Sequence, residues 1–128
     1  MTSTVLRLLI ISLIMALAGC GVCRTVSVNV SPQPAAADHN ADPPGNSVAF
    51  VAFEGSSGGC ANTASNSRNV VWSVSDTANV TISNTDDSSY GVATCVGATS
   101  GPVTVTATLP ANKNHGKTVS GSGQLTCN

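Results

Sequence analysis

Short segments in which valine alternates with small polar residues constrain the fold of this chain more than any other feature. In the first of them, Arg24–Ser31, Val26, Val28 and Val30 occupy every second position. Successive side chains of a strand point to opposite faces, so this alternation is typical of a strand that buries one face. Charged residues make up only 9% of the chain, and Ser, Thr, Asn and Gly supply the polar positions. We therefore expect an all-β domain rather than a helical one.

Seven segments are predicted as strands, and turn-forming residues separate them. They are Arg24–Ser31, Ser47–Glu54, Asn69–Ser75, Asn79–Ser83, Gly91–Gly97, Pro102–Leu109 and Lys117–Cys127. Ser31–Asn46 holds four prolines and is predicted as a loop, and Gly55–Arg68, which is small and polar, is predicted as a second one. Several short strands at this spacing indicate a β-sandwich.

The order of four of these segments resembles a known family. The segments are VWSVSD from Val71, VTIS from Val80, GVAT from Gly91 and GPVTVTAT from Gly101. Their order is similar to that of bacterial Ig-like domains of group 2, although the loops on either side of the second strand are longer here. The resemblance implies an Ig-like β-sandwich of about seven strands over residues 24–128, with Trp72 in the core between the sheets.

The amino-terminal residues carry a second resemblance. Met1–Arg7 has one cation, Leu8–Leu17 is apolar except for Ser12, and Ala18, Gly19 and Cys20 follow. This is the layout of a secretory signal peptide, too short to cross a bilayer. Leu17-Ala18-Gly19-Cys20 resembles the lipobox of bacterial lipoproteins, which implies a signal peptide over residues 1–19 and lipid, with palmitate-type acyl chains, on Cys20. The alternative is an ordinary signal peptide that is cut elsewhere.

The lipobox implies a place in the cell envelope. Gly21 is not the aspartate that retains some lipoproteins at the inner membrane, so we expect the outer membrane or the cell surface. Residues 20–23 would be a short tether that keeps the domain close to the bilayer. If successive strands alternate in direction, the loops within 55–68, 85–89 and 110–116 face the membrane, and residues 31–46 face away from it.

Four cysteines remain once Cys20 is assigned to lipid, and they allow three pairings. Alternating strand directions favour Cys23–Cys60 and Cys95–Cys127 as disulfides. Cys60–Cys95, with Cys23 and Cys127 joined to each other or free, is the main alternative. It stays open because Cys95 would point outward if Val92, Thr94 and Val96 pointed inward. An antibody-like Cys60–Cys127 bridge and a redox or metal role for Cys20-Gly21-Val22-Cys23 are not expected.

No residue pattern indicates catalysis, a metal or another cofactor. His39 and His115, the two histidines, lie in predicted loops without a neighbouring nucleophile. After residue 19, four cations face six acids, about −2 in net charge, which argues against nucleic acid as a partner. The chain is therefore not predicted to be an enzyme.

Two kinds of function remain for an envelope lipoprotein of this type. The first is a structural or protein-interaction module, for which Asp38, His39 and Asp42 in the outward loop form the candidate partner surface. The alternative is an adhesin-type module that binds a carbohydrate or another ligand. Such modules expose aromatic rings, and only Tyr90, in a predicted turn, is expected to be exposed. That scarcity favours a protein partner over a polysaccharide.

Overall fold

A computed structural model describes residues 22–57, 60 and 66–128. The predicted signal peptide, residues 1–19, and Cys20 lie outside the described residues. So do residues 58–59 and 61–65 of the second predicted loop. In the described part of the chain, no helix has the length and apolar character needed to cross a membrane.

Nine strands and one short 3₁₀ helix, Ala111–Lys113, form the described fold. The strands are β1 (Thr25–Ser31), β2 (Ala35–Ala37), β3 (Ser47–Ala49), β4 (Val51–Ser56), β5 (Val71–Val74), β6 (Val80–Ile82), β7 (Val92–Cys95), β8 (Val103–Leu109) and β9 (Val119–Cys127). The predicted all-β sandwich is confirmed, and each predicted strand segment contains at least one strand.

The strands pair in three groups. One sheet has the order β2-β9-β8-β5, a second has the order β3-β7-β6, and β1 and β4 form a two-stranded sheet. Every pairing is antiparallel except β2 with β9. β3 and β4 are the two halves of the predicted strand Ser47–Glu54. The chain breaks between them at Phe50, whose N–H donates to the Gly91 carbonyl at 2.9 Å, and β4 then pairs with β1.

Part of the proline-rich segment is a strand, which corrects the prediction of a loop from Ser31 to Asn46. Ala35–Ala37 pairs in parallel with Leu125–Cys127 at the edge of β9. Three alanines show no alternation, so nothing local marks them as a strand. The open edge of β9 supplies the hydrogen-bonding partner, and that partner exists only in the folded protein.

A β-bulge corrects the predicted orientation of Val26. Thr25 pairs with Ser56 and Ser27 pairs with Gly55, so β1 has one extra residue at Val26. Such a bulge redirects the side chain of the inserted residue. Val28 and Val30 are buried as the alternation predicts, but Val26 is 56% exposed.

Strict alternation on β8 supplies much of the core. Val103, Val105, Ala107 and Leu109 are buried, and the residues between them are only partly covered. On the sheet β3-β7-β6, Ala93 and Val80 are also buried. Burial of apolar area at about 25 cal/mol per Å² is the main favourable contribution to folding.

Three aromatic rings pack together inside the sandwich. The centroid of the Trp72 ring lies 6.4 Å from that of Phe50 and 6.5 Å from that of Tyr90. Trp72 is only 2% exposed and lies within the core cluster. The expectation that Tyr90 is exposed is wrong: Tyr90 is 8% exposed and donates its hydroxyl hydrogen bond to the Val70 carbonyl. Burial, and next the nearby Asp86 carboxylate, raise the pKa of Tyr90.

Two asparagine side chains each bind both backbone polar groups of one strand residue. Asn84 accepts from the Trp72 N–H at 2.7 Å and donates to the Trp72 carbonyl at 3.0 Å. Asn114, which is 2% exposed, makes the same pair of hydrogen bonds to Thr25, both at 2.9 Å. These amides continue the hydrogen bonding beyond a strand edge, where unpaired groups would otherwise be costly.

The backbones of β1 and β9 meet at Gly121. A Cβ atom there would lie 1.9 Å from the Val28 carbonyl oxygen, so only glycine fits without a shift of the backbone. Two residues along β9, a Cβ on Gly123 would lie 3.1 Å from the Val30 side chain. A glycine inside a strand is a known sign of such close approach.

The substitution Gly121→Ala should test this contact. We expect it to lower the free energy of unfolding by about 3 kcal/mol, because β1 must move away from β9. Urea unfolding followed by the fluorescence of Trp72, the single tryptophan, measures the change. Gly101→Ala is the matched control, since a Cβ there meets no atom within 4 Å. Its expected effect is within about 0.5 kcal/mol. Equal stability of the two variants would contradict the argument.

Both predicted disulfides are present. Cys23 is joined to Cys60 with the Cα atoms 6.0 Å apart, and Cys95 to Cys127 with the Cα atoms 5.7 Å apart. The alternative Cys60–Cys95 bridge is therefore excluded. Cys95 points inward and is 1% exposed, whereas its neighbour Val96 is 58% exposed. The second bridge links two of the sheets, because β7 and β9 belong to different ones.

Candidate functional site

The loops separate into two ends of the sandwich. At the end where β1 begins, which we call the amino-terminal end, Ser57 donates its N–H to the Arg24 carbonyl at 3.0 Å. Asn114 binds Thr25 at the same end, and Arg68 forms an ion pair with Asp86 at 2.6 Å. The described parts of the loops within 55–68, 85–89 and 110–116 therefore share one end, as predicted from alternating strand directions.

The predicted partner residues lie at the opposite end, which we call the distal end. Asp38, His39 and Asp42 belong to loop 38–46, between β2 and β3. Two backbone turns build this loop: the Ala41 N–H donates to the Asp38 carbonyl at 3.0 Å, and the Gly45 N–H donates to the Asp42 carbonyl at 2.8 Å. In the first turn, the Asp38 carboxylate also accepts from the Asn40 N–H at 2.9 Å. Aspartate favours such turns because its carboxylate can bind a nearby backbone N–H.

Both ends of loop 38–46 are held by backbone hydrogen bonds at or next to the residues of the Cys95–Cys127 disulfide. On one side Ala37 pairs with Cys127, and the Ala37 carbonyl accepts from Asn128 at 2.9 Å. On the other side the Asn46 carbonyl accepts from the Cys95 N–H at 2.9 Å. The bridge therefore holds the two ends of the loop in a fixed relation.

The three predicted residues differ in how they are exposed. Asp38 and Asp42 are exposed, whereas His39 is half-buried. The His39 N–H donates to the Asn128 carbonyl at 3.1 Å, and Nδ1 of its ring contacts the same oxygen. The exposed chemistry of the loop is therefore two carboxylates on an ordered backbone, with the imidazole turned toward Asn128.

No metal-binding cluster is found among the described residues: no three His, Cys, Asp or Glu side chains come together there. The prediction that no metal is bound rests on the sequence.

The two ends of the domain differ in charge: the amino-terminal end carries both signs, including the acids Glu54, Asp86 and Asp87, whereas the described part of the distal end carries acids and no Lys or Arg. Asp38, Asp42 and Asp76 are at the distal end, where Asp76 follows β5. Hydrogen bonding, first to the Asn79 side chain at 2.8 Å, lowers the pKa of Asp76. All four Lys and Arg residues of the described chain lie at the amino-terminal end: Arg24, Arg68, Lys113 and Lys117. The distal end is therefore acidic, which the sequence analysis missed because it requires the direction of every strand.

Comparison with protein families gave no match to this chain, and comparison with curated proteins gave none either.

Removing the Cys95–Cys127 bridge should loosen loop 38–46. We expect Cys95→Ala/Cys127→Ala to lower the free energy of unfolding by about 3.5 to 4 kcal/mol through lost chain constraint. We also expect amide hydrogen exchange to become faster in residues 38–46. Cys23→Ala/Cys60→Ala is the matched control, because it removes a bridge of similar sequence separation, 37 against 32 residues, at the other end. Equal acceleration of amide exchange in residues 38–46 in both variants would contradict a specific role of the Cys95–Cys127 bridge in holding this loop.

Proposed function

We propose that this chain is a bacterial envelope lipoprotein whose single Ig-like β-sandwich presents loop 38–46 to a partner protein. Lipid on Cys20 would hold the domain on a membrane, at the outer membrane or the cell surface. The observation that carries the proposal is the end-to-end arrangement: β1 begins at one end of the sandwich, and loop 38–46 lies at the other.

The anchor is supported by the sequence before β1 and by the disulfides. Leu17-Ala18-Gly19-Cys20 has the form of a lipobox. Two disulfides in a small domain are typical of an exported protein. Because Cys23 is joined to Cys60, only Gly21 and Val22 separate the lipidation site from the braced domain. At about 3.5 Å per residue, this tether reaches about 10 Å from Cys20 to Cys23.

The Ig-like class is supported by the arrangement of the core. The sheets pack face to face, and Trp72 on β5 is buried between them. Ig-like domains have a buried tryptophan on their third strand, which corresponds to β5 here because β5 lies in the third predicted strand segment, Asn69–Ser75. In such domains the loops cluster at the two ends of the sandwich. Binding sites on such scaffolds lie in loops that a rigid framework positions.

A protein partner is favoured over a carbohydrate because the chain exposes no aromatic ring for stacking. Phe50, Trp72 and Tyr90 are buried, and Phe53 is half-buried; these are all the aromatic residues of the chain. The loop instead offers carboxylates on a backbone that is already ordered, so binding costs little loop entropy. The surface of the partner protein that contacts loop 38–46 should therefore be basic.

Lipidation of Cys20 can be tested by metabolic labelling with an alkyne fatty acid. We expect label on the wild-type chain and a mature chain that begins at residue 20 by mass spectrometry. Cys20→Ser should carry no label, because it lacks the acceptor thiol. Cys23→Ser/Cys60→Ser is the matched control and should keep the label. Label on the Cys20→Ser chain, or no label on the wild type, would contradict the lipidation of Cys20.

The partner surface can be tested by photo-crosslinking in living cells. A photo-reactive residue at Asn40, in the loop, should give a covalent adduct with another protein, and one at Asn112, at the amino-terminal end, should not give that adduct. Asp38→Asn/Asp42→Asn removes two charges but keeps the turn acceptor, so we expect it to reduce the Asn40 adduct several-fold. An adduct of unchanged yield in this variant would rule out recognition by the loop carboxylates.

A further inference from the structure

The amino-terminal end contains a groove of about 440 Å³ between the start of β1 and the start of β9. Arg24 and Lys117 contribute two cations to its lining, and Val22 and Val26 contribute apolar side chains. The groove is distinct from loop 38–46, which lies at the other end of the sandwich. No function described above uses it.

Two of the three valines that line the groove, Val22 and Val26, are turned toward solvent. Val22 is 66% exposed and Val26 is 56% exposed, and they are two of the four large apolar side chains that the described residues leave exposed. The bulge in β1 is what directs Val26 outward instead of into the core. Bulges often redirect a side chain beside a functional site.

The cations of the groove have no acidic partner within the described residues. The only ion pair found there joins Arg68 to Asp86. Glu54, on β4, accepts hydroxyl hydrogen bonds from Thr25 and Ser67 on its two carboxylate oxygens.

The Arg24 guanidinium is also incompletely satisfied, since its Nε is buried without a hydrogen-bond acceptor. The positive charges of Arg24 and Lys117 are therefore free to attract an anion.

The position of the groove indicates where that anion comes from. Val22 lies two residues after Cys20, so a lipid on Cys20 would place the groove at the membrane surface. The charges fit the same orientation: the four Lys and Arg residues of the described chain are at this end together with three acids, Glu54, Asp86 and Asp87, whereas the distal end has three acids and no Lys or Arg. A domain with this charge distribution is drawn to an anionic bilayer with its amino-terminal end first.

We propose that this groove binds the phosphate group of an anionic phospholipid in the membrane that carries the protein. Arg24 and Lys117 contact the phosphate, and Val22 and Val26 contact the boundary between headgroups and acyl chains. A phospholipid is the occupant because it combines an anion with an adjacent apolar region, as the groove combines two cations with two exposed valines. The contact would hold the sandwich upright, with loop 38–46 pointing away from the bilayer. The inference rests on the proposed lipid anchor.

The test uses the full chain as the bacterium processes it, reconstituted into vesicles of phosphatidylcholine with or without phosphatidylglycerol. An amine-reactive reagent labels Lys117, and mass spectrometry gives the labelling rate. We expect labelling to be several-fold slower in the vesicles that contain phosphatidylglycerol. Arg24→Gln should abolish this protection. Arg68→Gln, which removes the same charge at the same end but outside the groove, should leave it in place.

A second variant guards against an effect of Arg24→Gln on folding. Lys117→Gln should speed amide exchange in residues 22–26 on the phosphatidylglycerol vesicles, while Lys113→Gln, on the adjacent loop, should not. Trp72 fluorescence checks that each variant is folded.

Three results would overturn the proposal. They are equal labelling of Lys117 in both kinds of vesicle, equal loss of protection in Arg24→Gln and Arg68→Gln, and full protection by inorganic phosphate without vesicles. The same mass spectra report the lipid on Cys20, so the anchor is judged separately. If that lipid is absent, the protein is added to preformed vesicles, where slower labelling of Lys117 still supports the groove and unchanged labelling still refutes it.

Discussion

The close approach of β1 to β9 at Gly121 is the constraint on which the rest of the structure depends. A Cβ at this position would lie 1.9 Å from the Val28 carbonyl oxygen, so the two backbones are in direct contact. This contact closes the core on one side of the sandwich, where Val28 and Val30 are buried. It also connects the two ends of the domain, because β1 begins beside the groove and β9 ends beside loop 38–46.

Each end of the domain is secured by one disulfide. Cys23–Cys60 secures the start of β1, and Cys95–Cys127 joins two of the sheets beneath loop 38–46. In the usual chain-entropy model each bridge contributes about 3.5 to 4 kcal/mol, a large share of the stability of a domain of this size. A small sandwich with few large apolar residues can therefore hold both a loop and a groove in defined positions.

Local alternation predicted some elements well and others poorly. β8 was predicted as Pro102–Leu109 and runs from Val103 to Leu109, because each of its apolar residues faces the same core. The strand Ser47–Glu54 was predicted as continuous, but it breaks at Phe50, where the chain changes its pairing partner from β7 to β1. Likewise, the burial of Tyr90 depends on Trp72 and on the Val70 carbonyl, which are distant in sequence.

The sequence by itself determined the strand-forming segments, the all-β class and the lipobox-like motif that ends at Cys20, because period-two alternation and short motifs are local properties. Combined with alternating strand directions, it also indicated both disulfides. Only the tertiary structure decided the bulge that exposes Val26, the pairing of Ala35–Ala37 with β9, and the absence of Lys and Arg from the described part of the distal end. These features depend on which strands become neighbours and on the direction in which each one runs, and neither is encoded within a single segment.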